Sequence, residues 1–413
     1  MLRPMPIGPI PSETARVAHA AFPKGNRYLH VADELQTLFT DDAFLALFPT
    51  HGQPAHPPWQ LALVTILQYA EGLSDRQAAN AVRGRIDWKY VLRLELTDPG
   101  FDASVLSELR TRLITGAAEY LLFDTLLTWC RDHHLIKAGG RQRTDSTHIL
   151  AAVWALNRIE VVSETMRHAL NSLAIVAPEW LRTVSPSEWR ERYARRAEDD
   201  RLPTKQTARA ALVRAIGHDG WRLLSAVDHA DTPPWLREIP AVVILRRVWI
   251  QNYLWDGTQL QWREAGNIPP AAQFISSPYD AEAHYARKYT TQWVGYKVHL
   301  TESCEDDLPH LITHVETTSG PAADGTATPK IHKALRQRGL LPKTHIVDTG
   351  FLDAELLVES QAHYGVDLLG PPASTITGRP GSGPVLTRSI SKLMGTGNAR
   401  RVQPARPVSA GRR

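Results

Sequence analysis

Cysteine, long apolar runs and a secretory signal are all scarce or missing in this chain of 413 residues. Cys130 and Cys304 are the only cysteines, which excludes a disulfide framework and fits a reducing compartment. The longest apolar stretch, 61–70, is about half of the roughly 18 residues that a membrane-spanning helix needs. The first residues, MLRPMPIGPIPSE, contain no apolar segment of the secretory type. We therefore expect a cytoplasmic protein.

Acidic residues are missing from the last part of the chain. Asp367 is the final one, and from Ser374 onward there are eight basic residues, six glycines, four prolines and no aromatic residue. Without those eight, 39 basic residues face 43 acidic ones, so the net charge changes from +4 to −4. The pI near 9.0, which would suggest a nucleic-acid partner, is thus a property of the tail, 373–413. Its composition predicts disorder.

The chain as a whole, with 43% hydrophobic and 22% charged residues, has the composition and length of a globular protein of two or three domains. Residues 1–26 are rich in proline and weakly patterned, and we interpret them as a lead-in. Residues 27–136 have helical periodicity throughout, including a buried helix at 59–71 that Gly72 ends and further helices near 102–113 and 116–134.

A capping box predicts the start of one helix in this region. Ser74 is the expected N-cap, and Gln77 is placed to reach back to its backbone. The helix-turn-helix at 73–85 offers four polar side chains that could read DNA, namely Arg76, Gln77, Arg83 and Arg85. The alternative is a pair of packed helices with a solvated basic edge.

Residues 150–265 are again helix-like, and they hold eight of the twelve tryptophans. These rings could stack on unpaired bases, although tryptophan at this density is more often part of a core. From residue 293 the periodicity changes to that of strands. We predict strands at 293–300, 311–318, 344–348 and 366–369, with a helix at 329–339.

Two aspartates stand out by their context. Asp145 lies at the end of a short segment that opens the mixed region, and Asp348 lies at the C-terminal end of a short apolar strand. Ligands gather outside strand ends in open α/β sheets, and carboxylates placed there can hold divalent cations for phosphoryl transfer. Aspartate also suits the turn after a strand, so the spacing alone leaves both interpretations open.

Four segments in order resemble those of bacterial insertion-sequence transposases of the DDE group, of the eleven-eighty-two type. They are RTDSTH at 143–148, WVGYKVH at 293–299, LITHVET at 311–317 and VDTGFL at 347–352. The helical front, with SDRQ at 74–77 and FDASVL at 101–106, resembles the InsH-like N-terminal domain of that group. The resemblance covers residues 25–372.

The resemblance implies an α+β or α/β chain. A helical DNA-binding domain at 27–136 would precede an incomplete RNase H-like core at 137–372, with a helical insertion at about 150–265. The group's first aspartate, after the first sheet strand, maps to Asp145, and its second, after the fourth strand, maps to Asp348. Both would hold Mg²⁺ or Mn²⁺ and cleave and join DNA at the terminal inverted repeats of the element and at the target. Such a protein would be bacterial, nucleoid-associated when bound, and able to form a homo-oligomer on DNA.

The group's third acid, a glutamate on a helix after the fifth strand, has no counterpart, since Asp367 is the last acidic residue. We therefore expect a chain that is truncated or frameshifted near Pro372 and inactive in cleavage. The alternatives are a DNA-end-binding remnant that regulates an intact element, or an RNase H-like nuclease. Two more side chains are candidates for contact with DNA phosphates: His148, which could instead make a structural hydrogen bond, and Lys297, on an alternating strand.

Overall fold

Seven α-helices precede the first strand in the computed structural model, which describes residues 1–35, 38–152, 156–197, 202–288 and 290–371. They are α1 Ser12–Ala21, α2 Arg27–Leu35, α3 Pro58–Glu71, α4 Asp75–Gly84, α5 Ile86–Val91, α6 Ser104–Thr115 and α7 Leu121–Asp132. A 3₁₀ turn, Asp41–Leu47, lies between α2 and α3. Residues 1–371 form one contact unit, and the predicted tail at 373–413 and Trp154 lie outside the described residues.

Local sequence signals explain how several of these helices begin and end. Pro58 begins α3, where its missing N–H costs nothing, and Gly72 ends it in the left-handed conformation with φ 66°. Ser74 and Gln77 form both halves of the predicted capping box at α4, which confirms that prediction. The helix predicted at 116–134 begins later, at Leu121, because Ala117 has a φ of 50° that no α-helix accommodates.

The predicted lead-in is more ordered than its sequence suggested. It contains α1, and Thr14 and Ala18 of that helix are fully buried against the rest of the helical region. The core of this region is formed by large side chains with almost no exposure, among them Phe44, Trp88, Leu92, Leu106 and Leu109. The prediction of a helical front is therefore confirmed.

Five α-helices lie between the first strand, β1 Arg141–Leu150, and the second strand. They are α8 Arg158–Val176, α9 Pro178–Val184, α10 Ser187–Arg192, α11 Gln206–Val227 and α12 Pro240–Asn252. The helical prediction for 150–265 is wrong at its end, where β2 Tyr253–Trp255 and β3 Leu260–Trp262 form a hairpin. The helix α12 ends at Asn252, and Asp256 with Gly257, the latter at φ 101°, makes the turn between the two strands of the hairpin.

The rest of the chain completes a six-stranded mixed sheet. Its strands are β1 with β4 His284–Lys288, β5 Thr291–Ser303, β6 Ile312–Ser319, β7 Thr344–Val347 and β8 Asp367–Leu369. Their order is β4-β5-β1-β7-β8. β6 also pairs with β5, on the same edge as β4 but further along the strand. β5 is antiparallel to β1, β4 and β6, whereas β7 is parallel to β1 and β8 is parallel to β7. The predicted strands are confirmed, and the architecture agrees with the α+β class.

The two faces of this sheet have different surroundings. On one face, α13 Thr328–Gln337, α14 Ala354–Glu359 and α7 cover a core in which Ile331, Leu335 and Phe351 are fully buried. On the other face, Leu300, Ile346 and Leu369 are each 37–42% exposed. None of the helices in the described part of the chain is long and apolar enough to span a membrane.

Candidate metal and nucleic-acid site

The two aspartates singled out by the sequence lie on neighbouring parallel strands. β1 pairs with β7 up to Thr144 and Val347, and Asp145 and Asp348 are the next residue on each strand. Since adjacent strands lie about 4.8 Å apart, the two aspartates stand side by side where β7 ends. Both are exposed. In contrast to the prediction that Asp145 follows its strand, it lies within β1, because β1 continues to pair with β5 for five more residues.

Backbone amides orient both carboxylates. The N–H of Ser146 donates to Asp145 Oδ1 at 2.7 Å, and the N–H of Gly350 donates to Asp348 Oδ1 at 3.0 Å. The latter bond makes Asp348 the cap of a 3₁₀ turn, Thr349–Phe351. Among the described residues, neither Oδ2 atom has a hydrogen-bond partner. Each aspartate thus has one oxygen fixed by the protein and one oxygen left for a ligand.

A third carboxylate, that of Asp324, approaches Asp348, and no pattern in the sequence predicted it. A Cβ atom at Gly350 would lie 3.1 Å from Asp324 Oδ2 and 3.3 Å from Asp348 Oδ1, so glycine leaves room for both carboxylates there. Asp324 Oδ1 accepts from Lys297 Nζ at 2.9 Å. It begins the turn before α13, where an acid is common for helix-dipole reasons alone, so sequence reasoning had no signal for it.

The predicted phosphate ligand Lys297 already has protein partners. Its ammonium donates to Asp324 and, at 2.6 Å, to the carbonyl oxygen of Ala322, and its side chain is only 15% exposed. His148 pairs in register with Lys297 and packs its ring against Trp293, at 5.1 Å between centroids. Strand alternation directs His148 to the face opposite Asp145. The structure therefore does not bring His148 to the aspartate pair.

The chemistry of the donor set suits a hard divalent cation that keeps part of its water shell. Mg²⁺ is commonly bound through one or two carboxylates together with waters and substrate phosphates. Asp145 and Asp348 would supply the carboxylates. Within the described ranges, no group of three or more His, Cys, Asp or Glu side chains is arranged to hold a metal ion. The remaining ligands would therefore have to be water and phosphate oxygens.

Buried polar side chains lie directly beneath the aspartates, on the covered face of the sheet. Thr144 Oγ1 is 2.7 Å from Thr301 Oγ1 and 2.6 Å from His345 Nε2, and His345 Nδ1 is 2.8 Å from His332 Nε2. Burial lowers the pKa of His345 to about 3 and that of His332 to about 4. The neighbouring His332 acts in the same direction on His345, and the positive charge of Arg336 does so on His332. Sequence reasoning missed this network, because its members are far apart along the chain.

The four candidate DNA contacts of the helical front differ in how free their side chains are. Arg76 is exposed on the first turn of α4. Arg83 donates to the carbonyl oxygen of Pro99 at 3.0 Å and to Asn80 at 3.1 Å. Gln77 is exposed, but its amide oxygen accepts from Ser74 as part of the capping box.

Arg85 has mainly a structural role. Its guanidinium donates to Glu71 at 2.6 Å and to Asp87 at 2.7 Å, which ties α3 to α5. The hydrogen bond to Asp87 raises the pKa of Arg85, burial opposes that shift, and Glu71 adds to it. Of the four side chains, Arg76 and Arg83 thus present the more accessible positive charge at the helix-turn-helix.

The tryptophans of the helical segment that follows β1 differ in their exposure. Trp189 and Trp249 are buried in its core. Trp221 and Trp255 are about half exposed and stack on each other, at 5.4 Å between centroids and 12° between planes. They line a groove of about 530 Å³ that Arg246 also borders, although its guanidinium is bound to Asp228.

Comparison with known families adds one finding to this geometry. Residues 16–112 match a transposase domain. The matching family is described as a transposase domain of the DUF772 type, and the match spans α2 to α5 together with most of α1 and α6. This transposase domain includes Arg76, Gln77, Arg83 and Arg85, and it supports a transposase-family protein. No curated protein and no solved structure matches the chain.

Proposed function

We propose that this chain is a DDE-type transposase of a bacterial insertion sequence, with an RNase H-like core built on the six-stranded sheet. The observation that carries the proposal is the placement of Asp145 and Asp348 side by side at the end of β7, in a chain that begins with a transposase domain. Without the edge strand β4, β1 and β7 are the first and fourth strands of the sheet in chain order. The family resemblance assigns its two aspartates to those strands.

The protein would contribute position and charge to the reaction. Asp145 and Asp348 would hold Mg²⁺ or Mn²⁺ through the oxygens that the backbone does not occupy. The bound metal would supply Lewis-acid stabilisation of the phosphate and of the attacking oxygen in an in-line displacement. The amides of Ser146 and Gly350 keep the carboxylates in place, so little reorganisation is needed when DNA binds.

Double-stranded DNA would be the partner of the helical region. Arg76 and Arg83 lie on α4, the second helix of the helix-turn-helix, where they can reach phosphates or base edges of an element end. The described part of the chain is not strongly basic overall, so recognition has to depend on such local side chains. We propose that the inverted repeats and the target are both bound as duplexes, with a homo-oligomer bringing two ends together.

A second candidate function is DNA-end binding without cleavage, which is the outcome that the missing third acid leads us to expect from the sequence. One observation favours it: within the described residues no three ligating side chains converge, whereas the DDE group uses three acids. Such a protein would still bind element ends through its transposase domain and would interfere with an intact transposase. The two candidates differ in a single property, which is metal-dependent cleavage.

The test is nicking and joining of an element-end duplex by the full chain in the presence of Mg²⁺ or Mn²⁺. We expect Asp145→Asn and Asp348→Asn to lower nicking by at least about 100-fold, since each removes a direct metal ligand. Asp353→Asn is the matched control, because Asp353 also caps a helix turn in the same loop but lies outside the register pair. Cleavage that survives Asp145→Asn would overturn the catalytic proposal. Binding of element ends without any cleavage by the unmodified chain would support the second candidate.

A further inference from the structure

The hydroxyl of Thr144 joins the three central strands of the sheet. It is within hydrogen-bond distance of Thr301 on β5 and of His345 on β7, while Thr144 itself belongs to β1. All three side chains are at most 3% exposed. Thr144 directly precedes Asp145, and Val347, its register partner, directly precedes Asp348. This hydrogen-bonded connection, called the tie below, therefore lies at the last position where β1 pairs with β7 before the two aspartates.

Backbone pairing alone holds β7 less extensively than it holds β5. β1 pairs with β5 over nine positions but with β7 over only four. A side-chain tie consequently matters more for the position of β7 than for that of β5. His345 extends the tie to α13 through His332, and since burial keeps both imidazoles neutral, each offers one donor and one acceptor to the chain of hydrogen bonds.

We propose that Thr144 is a positioning residue, which sets the spacing of Asp145 and Asp348 by tying β1 to β7 from beneath. This inference rests on the proposed function, in which the two carboxylates share one metal ion. Removing the hydroxyl would leave buried polar atoms of Thr301 and His345 without their partner. The strands would then separate or shift where the aspartates begin, and the two carboxylates would no longer meet the same cation.

A matched control exists in the same buried layer. Thr313 on β6 is fully buried, and its Oγ1 donates to Gln142 Oε1 at 2.8 Å. Its strand carries neither aspartate and does not contact β7 in the sheet. Thr313→Val therefore removes a comparable buried hydroxyl. Its partner, Gln142, lies two residues before Thr144 on β1, so the control disturbs β1 but leaves the hydrogen bond between Thr144 and His345 in place.

The experiment measures binding of Mn²⁺ to the full chain without DNA, by the electron paramagnetic resonance signal of free Mn²⁺. We expect Thr144→Val to weaken binding by about tenfold or more, Thr144→Ser to restore it, and Thr313→Val to leave it unchanged. Thermal melts of the two valine variants show whether their losses of stability are similar. Equal Mn²⁺ affinity for Thr144→Val and Thr313→Val would overturn the inference, as would a serine variant that fails to restore binding.

Asp145→Asn separates this inference from the proposed function. If Asp145→Asn leaves the Mn²⁺ affinity unchanged, the proposed metal site is itself wrong. If Asp145→Asn lowers the Mn²⁺ affinity and Thr144→Val does not, only the positioning role of Thr144 is wrong. If Thr144→Val does not fold, Thr144→Cys replaces it, since a thiol is a weak donor of nearly the same volume. The cysteine variant is expected to bind Mn²⁺ more weakly than the unmodified chain, and equal binding would count against the inference.

Discussion

One partly buried glutamate of the helical region matched by the transposase domain is charged, whereas two buried histidines of the sheet region are neutral. In the helical region, Glu71 is ionised and is bound by Arg85 and Tyr28. Burial alone would raise the pKa of Glu71, but these hydrogen bonds outweigh it and hold that pKa at about 2. In the sheet region, His345 and His332 are neutral and hydrogen-bonded to each other, and His345 is also hydrogen-bonded to Thr144.

This difference implies that acid acts on the two regions in separate pH ranges. The pKa of each buried histidine lies below its ordinary value of 6.5, so the unfolded chain binds more protons than the folded chain below that pH. Their contribution to stability is full above pH 6.5 and is lost as the pH falls towards 3–4. The contribution of Glu71 is full above its ordinary pKa of 4.5 and is lost as the pH falls towards about 2.

The largest expected effect is selective acid destabilisation of the sheet region. Between pH 7 and pH 5, each buried imidazole should cost about 2 kcal/mol, because the unfolded state gains a proton that the folded state cannot take up. Burial also lowers the pKa of His299 and His314 in the same sheet, which adds to the effect. Hydrogen exchange measured peptide by peptide, with correction for intrinsic rates, would report the opening of β5, β6 and β7 separately from α3 to α6.

His345→Gln sharpens this comparison, because it removes one titrating group and keeps a polar side chain. The variant should be less stable at pH 7 but should lose less stability between pH 7 and pH 5. Parallel loss of protection in both regions over that interval would contradict the assignment of acid sensitivity to the buried histidines.

An intermediate effect is expected from Glu71→Gln in the helical region. The change removes the ionised acceptor of Arg85 and Tyr28 and should lower the free energy of unfolding by about 1–3 kcal/mol at pH 7. It should also flatten the dependence of stability on pH between 4.5 and 2. Urea unfolding followed at several pH values would measure both quantities. Glu13→Gln, in the exposed pair with Arg16, is the control and should leave the midpoint nearly unchanged.

The smallest effect is expected from Ser74→Ala, at about 1 kcal/mol. The substitution removes the side-chain oxygen that accepts from the Gln77 N–H, so it acts only at the start of α4. Urea unfolding followed by exchange in α4 peptides would detect it. Thr40→Ala is a suitable comparison, because Thr40 precedes the 3₁₀ turn without forming a side-chain cap. Loss of protection in the sheet region on Ser74→Ala would show that the two regions do not respond separately.

The sequence predicted the elements with strong local signals and missed those whose formation depends on partners. Gly72 and the capping box of Ser74 act within a few residues, so the ends of α3 and α4 were predictable. α1 lies in a proline-rich segment and β4 has only five residues, and both are stabilised by other elements that pack against them or pair with them. The metal and DNA ligands were predicted from their neighbours in the sequence. That information was insufficient for Lys297 and His148, since the side chains they contact come from distant segments.

By itself, the sequence determined the helical front, the alternation of the later strands and the location of the excess positive charge in the tail. These are properties of composition and short-range periodicity, which any sufficiently long segment carries with it. Only the tertiary structure placed Asp145 beside Asp348, Gly350 between two carboxylates, and the hydroxyl of Thr144 between β5 and β7. Strand register decides those contacts, and register depends on pairing between segments about 200 residues apart in the chain.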